Sequence, residues 1–326
     1  MPRISRRGGG FTVVDLFSGA GGGTRGFHEA GFRTLAAVEG YRPIAETFTK
    51  NFPKVEVICD DFKRVDPATL PSCDVVLASP PCEPFTAANA KRYADPLDRL
   101  YKDRVGGLVF HTIRAVKAVA PRVFVMENVP GIAEGALVPE LRRLFRSAGY
   151  PRIHFNRIAC EEHGLPSRRN RIFVSNVKLD LPRVERPPTA WEAISDLESL
   201  EADVPNHEEL TMSRRERGRV EGLGTGDSIY HYRSATGKVL GHKTRIRADE
   251  PAPTVMGSSR FLHPFQDRYL TVREHARLMS FPDEHVFLGG RNVQYDEAGE
   301  AVPPLVARQI GDQVRDAIEG SLRVVG

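Results

Sequence analysis

The chain has 326 residues, room for about two domains of ordinary size, each with its own core. Its 40% hydrophobic and 27% charged residues exclude wholesale disorder, no apolar run nears the roughly 18–20 residues of a membrane span, and the basic start MPRISRRGGG lacks the apolar stretch of a secretory signal. A net charge of +4 is too small to imply nucleic acid by itself, and four scattered cysteines without a CxxC fit neither a disulfide framework nor zinc, which points to a reducing, cytoplasmic setting.

The first half alternates strand-like and helix-like segments. β-rich apolar runs are predicted at 11–17, 34–39, 55–59, 74–78, 122–126, 154–158 and 171–174. Between them, one helical pattern runs over 22–30 and stops at Gly31. Others carry the stripes Val109, Ile113, Val116 and Leu141, Leu144, Phe145, Ala148. Near-continuous apolar strands separated by helices predict a mostly parallel sheet covered on both faces, a doubly wound α/β domain.

Composition changes after Val177. Residues 182–253 are rich in Pro, Gly, Glu and Arg, and residues 211–247 hold nine Lys/Arg against three acids, a larger excess than that of the whole chain. This segment is the candidate phosphate-binding surface, with a solvated loop region as the alternative. Order returns at 271–281, where Thr271 and Glu274 have capping-box spacing, and a last helix over 304–318 carries Val306, Ile310 and Val314 on one stripe.

Candidate chemistry clusters at predicted strand ends, where ligands of open α/β sheets bind. The first strand runs into Asp15-Leu16-Phe17-Ser18-Gly19-Ala20-Gly21-Gly22-Gly23, a turn that lets backbone approach a ligand closely. Glu39 ends the second strand, placed to bind ribose hydroxyls, and Asp60-Asp61 end the third. Phe17 and Tyr41 are positioned to flank an adenine ring or to serve as core. These features suggest an adenosine-bearing ligand without separating NAD from S-adenosylmethionine. The fourth strand leads into Ser79-Pro80-Pro81-Cys82-Glu83-Pro84, a stiff platform for a nucleophilic thiol, and the fifth ends in Glu127-Asn128-Val129-Pro130. A Cys and a carboxylate across one cleft suggest covalent attack with acid assistance. Arg169 and Arg171, two apart, are predicted to share a face. Residues 83–103, with few apolar anchors, form a candidate closing loop.

The ordered set DLFSGAGGG, PPCEPFT, MENVPG, PSRRNR, YLTVREHARLMSFP and RQIGDQV resembles the DNA (cytosine-5) methyltransferases, prokaryotic restriction-modification type, from about Thr12 to Asp316. The resemblance implies a Rossmann-like catalytic domain binding S-adenosylmethionine (residues 1–178 and 303–326) and a smaller, irregular target-recognition domain (179–302). It implies a metal-free monomer acting on double-stranded DNA, functionally paired with a restriction endonuclease. Phe17, Gly19, Gly21, Glu39, Tyr41, Asp61, Pro81 and Asp312 would bind the cofactor, Glu39 on the ribose and Asp61 on the adenine amino group. Cys82 would attack carbon 6 of a flipped-out cytosine, Glu127 would hold or protonate nitrogen 3, and methyl transfer to carbon 5 would follow. Arg169 would steady the intermediate near the base carbonyl while Arg171 supports Glu127 or the active-site loop. Thr254 would meet a phosphate beside the flipped base, and Arg214, Arg215, Arg217, Lys243 and Arg245 would meet the duplex. An RNA cytosine-5 methyltransferase and a catalytically silent DNA-binding homologue are the alternatives. The chain departs from the family pattern in three places: Glu83 replaces Gln after Pro-Cys, Ser167 replaces the Gln opening the Arg-x-Arg motif, and the terminal Gly-Asn followed by Ala-Val-Pro is read at Gly311-Asp312-Gln313-Val314-Arg315.

Overall fold

A computed structural model describes residues 10–201 and 203–325. Seven strands form one sheet: β1 (Thr12–Leu16), β2 (Arg33–Val38), β3 (Glu56–Ile58), β4 (Val75–Ala78), β5 (Val123–Asn128), β6 (His154–Ala159) and β7 (Asn170–Ser175). Their spatial order is β3-β2-β1-β4-β5-β7-β6. The first five are parallel, as the strand–helix alternation predicts. β7 instead pairs antiparallel with both β5 and β6. A 10-residue stretch holding only a short 3-10 turn separates β6 from β7, too little chain for the crossover a parallel pair needs.

Both sheet faces are apolar because alternate residues point to opposite sides. Val14, Leu16, Val76, Phe124 and Met126 face α4 (Leu108–Val119) and α5 (Leu137–Ser147). Val13, Val75, Leu77, Val123 and Val125 face α1 (Gly22–Glu29) and α10 (Pro304–Val325). α10 lays Val306, Ile310 and Val314 on this second face. It approaches α1 closely enough that a Cβ on Gly26 would sit 2.5 Å from the Ala307 Cβ. α2 (Arg42–Asn51) follows β2, and α3 (Pro96–Tyr101) begins with the Asp95 carboxylate capping the Leu97 N–H.

A third core gathers residues from 190–301. α6 (Ala190–Ile194), α8 (Val272–Leu278) and α9 (Arg291–Glu300) pack Ile194, Val255, Ala276, Phe281, Tyr295 and Ala298 together. The Thr271–Glu274 capping box predicted from spacing is present. α7 (Arg214–Val220) covers Met212, Leu262 and Tyr269, beside the two-stranded hairpin β8 (Ser228–Arg233) and β9 (Val239–Thr244).

Candidate active site

The carboxyl ends of β1, β2, β4 and β5 open onto one cavity of about 230 Å³. After β1 the chain must turn at once into α1, and it does so through positive φ at Phe17 (56°), Gly19 (55°) and Gly21 (90°). Glycine holds that conformation freely. Phe17, a side-chain-bearing residue in the left-handed region, costs on the order of 1–2 kcal/mol. Its ring packs on Phe62, with centroids 4.3 Å apart. At the end of β2, the Glu39 carboxylate accepts the Gly19 N–H at 3.0 Å and the Tyr41 N–H at 2.8 Å, fixing the glycine turn to the second strand. Burial pushes its pKa above the usual carboxylate range.

Phe17, Gly19, Glu39, Pro81, Cys82 and Glu127 all line the cavity. Gly21, Tyr41 and Asp61 do not. Gly21 packs against Phe48 and Phe52, Tyr41 is 54% exposed, and Asp61 turns back to accept the Lys63 N–H.

The parallel register sets Ala78 of β4 beside Met126 of β5, so Cys82 and Glu127 emerge from neighbouring strand ends. The Asn128 amide donates to the Pro80 carbonyl at 3.0 Å and holds the Pro-Pro platform, while the Phe85 and Thr86 N–H groups close a turn onto the Cys82 carbonyl. The Cys82 thiol is pushed up to about 11, first by burial and next by the Glu127 carboxylate. Arg171 opposes the shift; Glu83 and Glu300 add to it. Cys73 and Cys160 are buried against the sheet and Cys59 is exposed outside the cavity lining.

Arg171 and Arg169 diverge. Arg171 Nε lies 2.7 Å from Glu127 Oε1, both side chains about nine-tenths buried, on antiparallel neighbours β7 and β5. Arg169, 1% exposed, is not free to meet a base. Its guanidinium donates to the carbonyls of Val255 (3.0 Å), Gly299 (3.0 Å) and Ala301 (2.8 Å), and its backbone N–H donates to Glu161. It is a positioning residue that ties the β7 entry to the end of α9. The β-strand begins only at Asn170, which is why the two arginines do not share a face.

Further corrections concern the basic segment and the C-terminus. Arg245 is buried, its fork spent on the carbonyls of Leu223, His263 and Gln266 and on Asp267, so it holds the fold together instead of facing a duplex. Lys243 is ion-paired with Glu216 over the rings of Tyr230 and Tyr269. Arg214, Arg215 and Arg217 are exposed on α7. The Thr254 hydroxyl donates to the Arg168 carbonyl at 2.7 Å. Asp312 lies mid-helix in α10, ion-paired with Arg315 and away from the cavity lining. The segment that does line it is Asp296, Glu297, Glu300, Ala301 and Val302. Gly299-Glu300-Ala301-Val302-Pro303 fits the Gly-Asn-Ala-Val-Pro pattern better than Gly311–Arg315, and that match was the available signal. The loop after Cys82 is also better anchored than expected: Phe85, Arg99 and Leu100 are buried, Arg92 donates to the Phe85 carbonyl, and the Ala235 N–H in the β8–β9 turn donates to the Ala87 carbonyl at 2.9 Å.

A family model of C-5 cytosine-specific DNA methylases matches residues 11–316. A Methanocaldococcus jannaschii protein described as a type II methyltransferase is 42% identical over 313 residues, covering 93% of this chain and 98% of its own. The type II methyltransferases M1.HphI of Haemophilus parahaemolyticus and M.DdeI of Desulfomicrobium norvegicum are 33% and 30% identical, each over 93% of this chain and covering 86% and 88% of their own. Among solved structures, a prophage-encoded Escherichia coli chain described as a DNA modification methyltransferase superposes with TM-score 0.74 at 22% identity, over 95% of this chain and 99% of that one. Spodoptera frugiperda DNMT2 does so with TM-score 0.62 at 17% identity, over 94% and 99%. These two extend the likeness in fold to the whole sheet and its helices. With a cavity at the strand ends that holds a Pro-Pro-Cys thiol, an Arg-paired glutamate and a glycine turn, and with a family model spanning nearly all of it, the chain belongs to the C-5 cytosine-specific DNA methylase family.

Proposed function

We propose that the protein methylates carbon 5 of a flipped-out cytosine in a specific double-stranded DNA sequence, with S-adenosylmethionine as the methyl donor. One observation carries the cofactor assignment. Carboxyl groups crowd the cavity, and none of its lining residues is Lys, Arg or His. A dinucleotide would bring its pyrophosphate charge into that field, whereas a ligand with net positive charge is attracted by it. Glu39 is placed for ribose hydroxyls, Phe17 for one face of a base, and the Gly19 turn for close backbone approach. S-adenosylmethionine, when bound, supplies an electrophilic methyl group on a sulfonium.

The protein's part is to make carbon 5 nucleophilic. Cys82 Sγ adds to carbon 6 with loss of the thiol proton, while Glu127, held by Arg171, holds or protonates ring nitrogen 3. The resulting enamine-like ring takes the methyl group at carbon 5. Loss of the carbon-5 proton then expels Cys82 and restores the ring. A thiol at about 11 is almost wholly protonated at neutral pH, so its proton must leave as the sulfur–carbon bond forms.

The exposed arginines of α7, Arg214, Arg215 and Arg217, support contact with the phosphate backbone. The kinship with type II methyltransferases supports a paired restriction endonuclease. Incubating the protein with labelled cofactor and duplex DNA, then bisulfite sequencing, tests the reading. A single methylated sequence context is expected with DNA, and none with Cys82→Ala, which still binds cofactor. Transfer to tRNA alone would make the substrate RNA; an unaltered rate in Cys82→Ala would remove the thiol from the mechanism.

A further inference from the structure

The loop after Cys82 is fastened by a group that lies outside the cavity. Two of its arginines turn inward, and the side chains of Arg92 and Arg99 keep only 9% and 4% of their exposure. Arg99 Nε donates to the Tyr93 carbonyl at 2.8 Å and Nη2 to the Ala94 carbonyl at 3.1 Å, which curls the loop around the guanidinium. Its Nη1 lies 2.5 Å from Glu134 Oε2, and Arg92 Nη1 lies 3.5 Å from Glu134 Oε1. Among the described residues no other carboxylate pairs with either arginine. None of the three lines the cavity. Nor does the Glu134 carboxylate cap a helix, since the N-cap of α5 is Ala136.

Glu134 stands at the exit of the 3-10 turn Pro130–Ala133, on the segment that leaves β5 after Glu127. At Gly131 of that turn the segment meets the loop through backbone, and a Cβ there would collide with the Phe85 carbonyl oxygen. The same carbonyl accepts Arg92 Nη1 at 2.7 Å, and the Phe85 N–H donates to the Cys82 carbonyl at 2.9 Å. A line of polar contacts therefore runs from Glu134 through Arg92 and Phe85 to the backbone of the nucleophile. Resting on the role given to the thiol above, we propose that Glu134 is a positioning residue. Through Arg92 and Arg99 it ties the thiol-bearing loop to the segment that carries Glu127, and so sets the placement of the nucleophile relative to the acid.

Two buried cations on one carboxylate make the tie depend on that carboxylate's charge. Without it, Arg92 and Arg99 keep only carbonyl acceptors, and their guanidinium groups gain by turning to water and taking the loop with them. The sheet beneath is held by its own apolar faces, so the loss falls on the geometry of the loop more than on the fold. A displacement of about 1 Å at a reacting atom can cost on the order of 10²-fold in rate.

The test compares Glu134→Gln, which keeps the shape and removes the charge, with the unaltered full chain. Three quantities are read: the single-turnover rate of methyl transfer from S-adenosylmethionine to duplex DNA, the Kd of S-adenosylmethionine, and the rate at which iodoacetamide alkylates Cys82, followed by peptide mass spectrometry. The transfer rate is expected to fall at least tenfold, the Kd to stay within about twofold, and alkylation of Cys82 to quicken at least threefold. Glu134→Asp, which restores the carboxylate on a shorter stem, should recover part of the rate. A transfer rate within about twofold of the unaltered protein overturns the proposal. So does a fall that only matches the loss of folded protein, with alkylation of Cys82 unaltered. Arg92→Lys, which keeps the charge but not the planar fork, should show the same split and stands in where Glu134→Gln does not fold. If neither folds, Glu134 belongs to the fold and the proposal falls. An unaltered protein that transfers no methyl group removes the functional reading itself, and the alkylation rates then still decide whether Glu134 places Cys82.

Discussion

The Arg171–Glu127 pair should couple more strongly than a surface ion pair. The Nε–Oε1 distance is 2.7 Å, and the side chains keep only 12% and 10% of their exposure. With charge centres about 4 Å apart and an effective dielectric constant near 20, the attraction is about 4 kcal/mol. Removing one partner strands the other in the sheet, at a cost of about 3–5 kcal/mol. Arg169 also lies near enough to reach Glu127 electrostatically, which places the expected loss for Arg171→Met near the lower value. Glu127→Gln should cost about the same, because Arg171 then lacks its counter-charge. The double variant should lose much less than the sum, leaving a coupling energy of about 2–4 kcal/mol in a cycle of urea-unfolding free energies. Arg171→Lys, which keeps the charge but loses the planar fork, should fall between wild type and Arg171→Met. Additive losses, with coupling below about 0.5 kcal/mol, would refute the reasoning and make Arg171 an ordinary packing residue.

Other perturbations separate the roles assigned above. Arg245→Ala should lower stability by several kcal/mol, as expected on stranding buried carbonyls and Asp267. The triple change of Arg214, Arg215 and Arg217 to Ala should leave the melting temperature unaltered but weaken DNA binding and reduce its salt dependence by about three counterions; thermal melts and salt-titrated binding check both. Gly26→Ala drives a methyl group into the α1–α10 contact and should cost about 1–3 kcal/mol or more, read as a drop in urea midpoint. Stability should also have a broad maximum near pH 5–6. Burial, chiefly, pushes His263, His275 and His285 down to about 3, so the unfolded chain binds more protons and stability falls with pH below about 6.5, by up to about 1.4 kcal/mol per unit for each. Asp15, Glu300 and Glu297, raised by burial to about 6, 7 and 8, hold protons in the folded state that the unfolded chain releases. Their contribution is present at low pH and lost as pH rises to about 8. Urea midpoints that climbed steadily from pH 5.5 to 8.5 would contradict this balance.

What the sequence revealed was mainly local. The five parallel strands, the glycine turn and the Pro-Pro-Cys platform are each encoded within a few consecutive residues. So is the Thr271 capping box. The hairpin β8–β9 was hidden because its strands are half-exposed and polar, carrying little apolar alternation. α9 was hidden for a related reason: Arg291–Glu300 has no apolar stripe, and its buried members include Glu297 and Gly299. Gly311-Asp312 imitates the expected pair, and only the fold shows that Glu300, not Asp312, faces the cavity. The arginines show a different limit. A cation counts the same in sequence whether its fork meets solvent or carbonyls about 20 to 130 positions away, as for Arg245 and Arg169.

That last contact has a consequence for how the enzyme comes into being. Arg169 leaves the ribosome some 130 residues before the Gly299, Glu300 and Ala301 carbonyls that fix it, an interval on the order of ten seconds at ordinary translation rates. During that time β1 to β7 can pair, and Cys82 and Glu127 can stand side by side, but the cavity lacks its α9 wall and Arg169 lacks its acceptors. The nascent protein therefore holds a thiol and a glycine turn beside a cavity still open where α9 will stand. Methylating competence arrives near the end of synthesis and all at once, when one late segment supplies both the wall and the ties that hold it.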